Sequence, residues 1–535
     1  MGTGATDRHY DYAAMAVLAV AAVAIALTFR DYGISWDEPV QNEYGKLSLQ
    51  YYLTLGRDRS SFSYINLFWY GALFDTLAAA ANLVSPFAEY DTRHLLNALV
   101  ALAGLAATWR LGRELGGPRA GFVAALLLAV TPVWYGNGFI NPKDIPFAAA
   151  MTWSAVFLVR LAGTLPAWRW GDFLGLGVAA GAAMGTRVGG LIALVYLGAT
   201  LAMHGGLALL GRERPEAVAR RLVRLAAPSL VAALAALAVM YACWPWAQHG
   251  PIDRPLESLE NFSRFPITLE YPYFGRVIVS TAVPWYYAPG MMAVQLPELT
   301  VAAFLVAAAL ALVHLATRRD ARLPLAVLGL LIVFPPAYVA LERAVLFDGM
   351  RHFVFVLPPV TVAAALAIDL LWRRGAAGAA IAATLLALTA AWQASLLVRS
   401  HPYQYLVFNS LVGGVAGADG RFELDYWGVA FREAVRGMVA GLPKPAPGKP
   451  YRVMICGPET SATLFFPPGF EHVDRQRVAE ADIVITNTRY QCPRGTYLTS
   501  APALYVVKRF DTPLGYVYDL RGHRALTYSP YPATP

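Results

Sequence analysis

Five short stretches of the chain carry side chains that can do chemistry together. Trp36-Asp37-Glu38 offers two adjacent carboxylates, and Asn141-Pro142-Lys143-Asp144 sets a cation beside an acid. Gly185-Thr186-Arg187 and Asp348-Gly349-Met350-Arg351-His352 add two guanidiniums, and His249 lies in a long polar loop. A carboxylate can take the proton of a hydroxyl nucleophile late in an oxocarbenium-like transition state. Arg and Lys at fixed positions can hold the charge that grows on a departing phosphate, Arg through two parallel hydrogen bonds. The combination suits transfer of a glycosyl group from a lipid-linked phosphate. Asp37 is the expected base, with Glu38 and Asp144 as further catalytic carboxylates. Lys143, Arg187 and Arg351 are the expected phosphate ligands, and His352, His249 and Asp348 the expected support.

Each stretch also has a plainer reading. Ser35-x-x-Glu38 has the spacing of a helix capping box, which would make Glu38 structural; Pro39 weakens that reading. Lys143 and Asp144 fit a loop ion pair, Arg187 a side chain snorkelling to head groups, and Arg351 a partner of Asp348 or Glu342. His249 and His352 fit hydrogen-bonded interfacial histidines. Tyr271, Tyr273, Trp285, Tyr286 and Tyr287 read as an aromatic belt or as a lid over a sugar.

The elements that must position these residues are apolar. The chain has 535 residues, 57% hydrophobic and only 15% charged, which excludes a soluble globule. About 20 apolar residues cross a bilayer as a helix. Segments 13–29, 93–109, 119–135, 145–161, 172–186, 189–209, 225–245, 298–317, 323–341, 352–371 and 376–397 meet or approach that length, giving about eleven crossings. Residues 13–29 read as a retained helix rather than a signal peptide. The net charge of +8 gathers in alternate loops (Arg110, Arg113 and Arg119; Arg160 and Arg169; Arg212 to Arg224; Arg318 to Arg322; Arg373 and Arg374). That is the positive-inside pattern, not a nucleic-acid footprint. It puts the N-terminus in the cytoplasm and the stretches above on the outer face. Within the first outer loop (30–92), residues 41–55 and 64–84 are expected as helices lying at the interface. A long outer loop, 246–296, is expected to cap the site.

Composition changes near Arg399. Residues 399–535 are expected to form a small α/β domain outside the membrane module (1–398). It would hold a helix over 427–439, a Pro/Gly/Lys-rich hinge over 441–450, and strands near 452–456, 482–486, 503–507 and 516–520. Cys243, Cys456 and Cys492 are too few for a disulfide framework; Cys456 and Cys492 can pair outside the cytoplasm or stay reduced.

Taken together, these residues resemble the glycosyltransferase C superfamily, closest to its family 39 of protein O-mannosyltransferases and lipid A aminoarabinose transferases. The resemblance covers residues 13–398. It rests on Trp36-Asp37-Glu38 with the interfacial helices after it, on Asn141-Pro142-Lys143-Asp144, and on Met350-Arg351-His352-Phe353. The stretch from His401-Pro402-Tyr403-Gln404-Tyr405 through Asn409, Gly413-Gly414 and Asp425-Tyr426-Trp427 is similar to a bacterial subgroup of unassigned acceptor. The resemblance implies a polytopic α-helical fold and an inverting transferase of the bacterial inner membrane. Its donor would be a polyprenyl-phosphate-linked sugar and its acceptor a hydroxyl of a protein, lipid or glycan. Asp37 matches the motif acid taken as base or as the group that orients the acceptor, and Asp144 the second acid. The chain departs from the aminoarabinose transferases at residues 64–69 (YINLFW), where they carry a Lys-Pro-Pro segment, and it lacks the β-trefoil insertion of eukaryotic O-mannosyltransferases. Some relatives use a divalent cation and others do not; the loops show no fixed metal spacing, so no metal ligand is assigned. A flippase for a lipid-linked sugar, or an oligosaccharide ligase using a diphosphate carrier, are the competing readings.

Overall fold

The structure, a computed structural model, describes residues 8–263, 267–317, 323–489 and 501–522. Helix α1 (Arg8–Thr28) leads into a loop layer holding α2 (Glu38–Leu53) and α3 (Leu73–Asn82). Next come α4 (Glu89–Gly116), α5 (Pro118–Ala129), α6 (Pro132–Ile140), α7 (Asp144–Thr164), α8 (Trp170–Met184), α9 (Ile192–Leu210) and α10 (Pro215–Cys243). Eight helices among the described residues are long and apolar enough to cross a membrane. A ninth candidate is the pair α5 and α6, bent by 64° where Pro132 opens α6. The sequence suggested one straight span there; proline at the first turn of α6 has no N–H to continue α5.

The end of the bundle that holds Arg110 to Arg119 is tied by ion pairs. Arg113 meets Asp11 at 2.9 Å, Arg119 and Arg373 share Asp369, and Arg160 reaches Asp172 at 3.3 Å. These contacts fix which ends of α1, α4, α5, α7 and α8 lie together, so the loops at the other end converge. Packing of α8 on α10 is close because Gly177 and Gly181 face the backbone at Ala232 and Ala236, where a Cβ would collide. Small residues four apart let membrane helices approach in this way.

The long loop folds as α11 (Pro245–Gln248), α12 (Asp253–Ser263), a hairpin of β1 (Glu270–Tyr273) and β2 (Arg276–Val279), and α13 (Tyr287–Gln295). Helices α14 (Glu298–Thr317), α15 (Leu323–Glu342), α16 (Leu357–Trp372) and α17 (Ala376–Ser400) complete the bundle. Beyond them lie α18 (Gly414–Ala418), α19 (Phe431–Gly441) and α20 (Glu459–Thr463), with strands β3 (Tyr451–Cys456), β4 (Phe470–Val473), β5 (Ile483–Asn487), β6 (Ala503–Arg509) and β7 (Thr512–Asp519). The sheet order is β4-β3-β5-β7-β6; β3 runs parallel to β4 and β5, and β7 antiparallel to β5 and β6.

Three local expectations change. Residues 64–84 are not one helix: only Leu73–Asn82 is α-helical, because the N–H groups of Ala72 and Leu73 donate to the carbonyls of Cys243 and Gly185 and draw the chain onto the bundle. Strand β4 and the β1–β2 hairpin were not foreseen. The helix expected over 427–439 begins at Phe431, since Asp425 accepts the N–H groups of Val429 and Ala430 and holds 426–430 as a turn. One buried core runs without a break from Ile25 and Phe29 through Trp134 and Phe353 to Trp427, Ile455 and Val517. The C-terminal sheet is therefore packed on the bundle rather than hung from it. Cys243 is a free thiol, whereas the pairing considered for Cys456 involves Cys492, which lies outside the described residues.

Candidate functional site

Asp37 precedes the first turn of α2, and Lys143 precedes α7; Lys143 Nζ lies 3.7 Å from Asp37 Oδ2. Both side chains are mostly but not fully buried. The same ammonium sits 4.5 Å from the centroid of Tyr70, and the Arg187 guanidinium lies 5.9 Å from that ring. Arg187 Nη2 is 2.6 Å from Asp144 Oδ1. Asp144 is set in turn by Asn141, whose amide donates to Oδ2 at 2.9 Å and whose Oδ1 accepts the Asp144 N–H at 3.0 Å. Arg351 is within electrostatic reach of Asp37, Asp144 and Asp348, and its guanidinium stacks 4.7 Å from the Trp427 ring centroid. Residues from distant stretches thus gather around one pocket.

That pocket opens into a cavity of about 340 Å³. Its polar end is formed by Tyr70, Asp144, Arg187, Arg351 and His352. Its apolar length runs past Ile192 of α9 and Pro335, Tyr338 and Val339 of α15, under Leu259 and Phe262 of α12. A charged mouth on an apolar groove between helices fits an amphiphile whose head is anionic. Asp37 is beside this mouth, across Lys143, rather than in its lining.

Local sequence explains the placement. Gly71 lies against the Gly185 carbonyl, where a Cβ would collide, so Tyr70 reaches Arg187. The Tyr271 hydroxyl donates to the Leu346 carbonyl at 2.9 Å and that of Tyr287 to the Gly349 carbonyl at 3.2 Å, which props the turn before Arg351. Tyr271, Tyr273 and Tyr287 are buried, leaving Trp285 and Tyr286 exposed; the expected belt is divided between core and surface.

Other expected residues lie elsewhere. Glu38 is 1% exposed, accepts the Ser35 N–H at 2.7 Å and meets His94 Nε2 at 3.0 Å, so both its oxygens are committed inside the fold. This is half of the capping box; the Ser35 hydroxyl donates instead to the Ile140 carbonyl. His249 contacts the Tyr51 hydroxyl at 3.1 Å, away from the cavity, and burial with Arg59 and Arg254 holds it below the usual imidazole range. His352 lines the cavity edge-on to Phe347. Asp348 pairs at 2.7 Å with Arg489, a residue the sequence reading did not single out. Arg489 follows β5, so the C-terminal sheet reaches the turn that carries Arg351. Beneath the site, Arg93 bonds Asp75 at 2.7 Å, and burial pushes the Asp75 carboxyl up against the opposing pull of Arg93 and Lys143. Among the described residues, no three His, Cys, Asp or Glu side chains gather as a metal site.

Residues 92–246 match the family model described as dolichyl-phosphate-mannose-protein mannosyltransferase, a segment that includes Lys143, Asp144 and Arg187. No curated protein matches the chain significantly. Among solved structures, ArnT from Cupriavidus metallidurans in the apo state is 16% identical over 94% of this chain and 97% of its own, with a TM-score of 0.51. The same protein bound to undecaprenyl phosphate gives 15%, 94%, 97% and 0.49. The archaeal oligosaccharyltransferase AglB from Archaeoglobus fulgidus is 13% identical over 89% of this chain and 69% of its own, at 0.48. The apo match shows that this chain shares the fold of ArnT.

Proposed function

We propose that this multi-pass membrane glycosyltransferase moves a sugar, with inversion, from a polyprenyl-phosphate carrier to a hydroxyl acceptor. The reaction would run at the periplasmic face of a bacterial inner membrane, with the N-terminus in the cytoplasm and the C-terminal sheet outside. The observation that carries the reading is the placement of Arg187 and Arg351 at the mouth of one apolar cavity, with Lys143 and then Asp37 beside it. The isoprenoid tail would lie along Ile192, Pro335 and Val339, with its phosphate against Arg187, Arg351 and Lys143. The acceptor oxygen bonds to the anomeric carbon as the C–O bond to phosphate breaks. The electron pair passes to the phosphate oxygen, where the guanidiniums hold it, and the acceptor proton passes to Asp37. Asp144 keeps the Arg187 fork aimed. The acceptor, whether protein, lipid or glycan, would enter beside Trp36.

Purified protein in lipid nanodiscs, offered polyprenyl-monophosphate and -diphosphate sugars, tests this. Turnover of the monophosphate donor, lost by at least about a thousandfold in Asp37→Asn while donor binding persists, is the expected result. Transport of an intact lipid-linked sugar without bond cleavage, or use of the diphosphate carrier alone, would overturn it.

A further inference from the structure

A second cavity, of about 240 Å³, shares no lining residue with the first. It lies where two apolar helices end: Asp31 is three residues beyond α1 and His401 follows the last residue of α17. Its charged lining is Asp31, His401, Arg432, Glu433, Arg436 and Arg509. We propose that this cavity holds the phosphoryl head group of an anionic lipid at the membrane boundary, independently of the transfer reaction.

The charge inventory carries the argument. Both carboxylates are already engaged. Glu433 takes Arg509 at 2.8 Å and the Tyr403 hydroxyl at 2.9 Å, and Asp31 meets His401 Nε2 at 3.0 Å. Both ring nitrogens of His401 are taken: Nε2 lies 3.0 Å from Asp31 Oδ2 and Nδ1 lies 3.0 Å from the Gln404 amide nitrogen, while Gln404 Oε1 accepts the Tyr32 hydroxyl.

Within the lining, three guanidiniums then face two carboxylates, and Asp91, outside the lining, also acts on Arg432. Arg432 spends Nη1 on the carbonyls of Arg30 and Tyr32, while its Nε is buried with no hydrogen-bond partner. Arg436 is exposed at the rim. The two repel: burial first and Arg436 next hold the Arg432 guanidinium below its usual range. An anion between them would satisfy the orphan donor and relieve the repulsion.

The surroundings favour a lipid. Arg30 lies over the rings of Phe29 and Phe87, and Arg399 over Phe510, giving the mixed cationic and aromatic rim expected at a head-group layer. Val398, three residues before His401, is exposed.

The test uses the full chain, delipidated in detergent, with three probes: phosphatidylglycerol, phosphatidylcholine and inorganic phosphate. Native mass spectrometry and thermal shift read binding. Phosphatidylglycerol should be retained and raise the melting temperature, with phosphatidylcholine about tenfold weaker. Arg436→Glu, at an exposed position, should lower phosphatidylglycerol affinity by about tenfold or more without lowering the lipid-free melting temperature. If that variant fails to fold, Arg436→Gln takes its place, with a smaller loss. Saturable competition by inorganic phosphate, abolished in the variant, supports a site for the phosphoryl group itself. Equal retention of the two lipids, or undiminished phosphatidylglycerol binding in both Arg436 variants, overturns the proposal.

Discussion

Asp348 and Arg489 join the turn that carries Arg351 to the C-terminal sheet, and their substitution should show an ordered pair of costs. The two side chains are 4% and 10% exposed and meet at 2.7 Å, so water screens them little. Removing one partner of a buried pair costs about 3–5 kcal/mol when the other charge is left alone. The two ends are not equivalent. In Arg489→Met, Asp348 keeps the field of Arg351, and the loss should fall to about 2 kcal/mol. In Asp348→Asn, Arg489 loses its paired carboxylate and Arg351 the field of that carboxylate, and the loss should reach about 3–4 kcal/mol. The double variant should cost less than the sum of the singles, by about 1–3 kcal/mol. Equilibrium unfolding in mixed micelles measures all three, and turnover at a permissive temperature reports whether Arg351 has moved. Additive losses, or Arg489→Met costing more than Asp348→Asn, would refute the account of Asp348 as an acid shared by two arginines.

Glu38→Gln should lower stability by about 1–3 kcal/mol through its buried hydrogen bond from Ser35 and its close contact with His94, yet keep turnover once folded; a loss of chemistry in folded protein would return Glu38 to the site. Gly71→Ala drives a Cβ into the Gly185 carbonyl, so a loss of about 1–3 kcal/mol with weaker donor binding is expected, read by thermal unfolding and donor titration. Asp425 is fully buried, and burial pushes its carboxyl up to about 6, against the bonds from Tyr405 and the turn N–H groups. The folded state therefore binds the proton more tightly than the unfolded chain, and its stability should fall by about 3 kcal/mol as pH rises from about 4 to 6 and then level. Asp425→Asn should remove that slope; an unchanged pH profile of unfolding would contradict it.

The sequence disclosed the charges but not their partners, for a physical reason. A Lys, Asp or Arg next to an apolar run of spanning length has to sit at the membrane boundary, because burial in hydrocarbon without a partner is costly. Asp37, Lys143, Asp144, Arg187 and Arg351 were legible on that ground, and so was the end of the bundle at which they gather. Which oxygen meets which nitrogen depends on side-chain geometry that no local pattern holds. Glu38 and Asp37 are adjacent, yet one turn of helix start sends Glu38 back to Ser35 and leaves Asp37 facing Lys143. The same limit hid the broken α5–α6 pair: hydropathy sums across Thr131-Pro132, while hydrogen bonding does not.

Arg489 marks a deeper limit. The strand before it was legible as a β-rich run, but its role comes from the fully buried strand Ile483–Asn487 and from the Asn487 amide, which donates to the Asp425 carbonyl at 2.9 Å. Asp425 in turn fixes the turn that carries Trp427, whose carbonyl accepts the Trp36 N–H and whose ring lies under Arg351. The acidic motif, Arg351 and the C-terminal sheet are thus joined through one buried carboxylate more than 380 residues from Asp37 along the chain. A loop–sheet junction of this kind is a wall of the site as much as a support for it. Changes at Asp425 should consequently be felt at Trp36 and Arg351 before they are felt in the sheet.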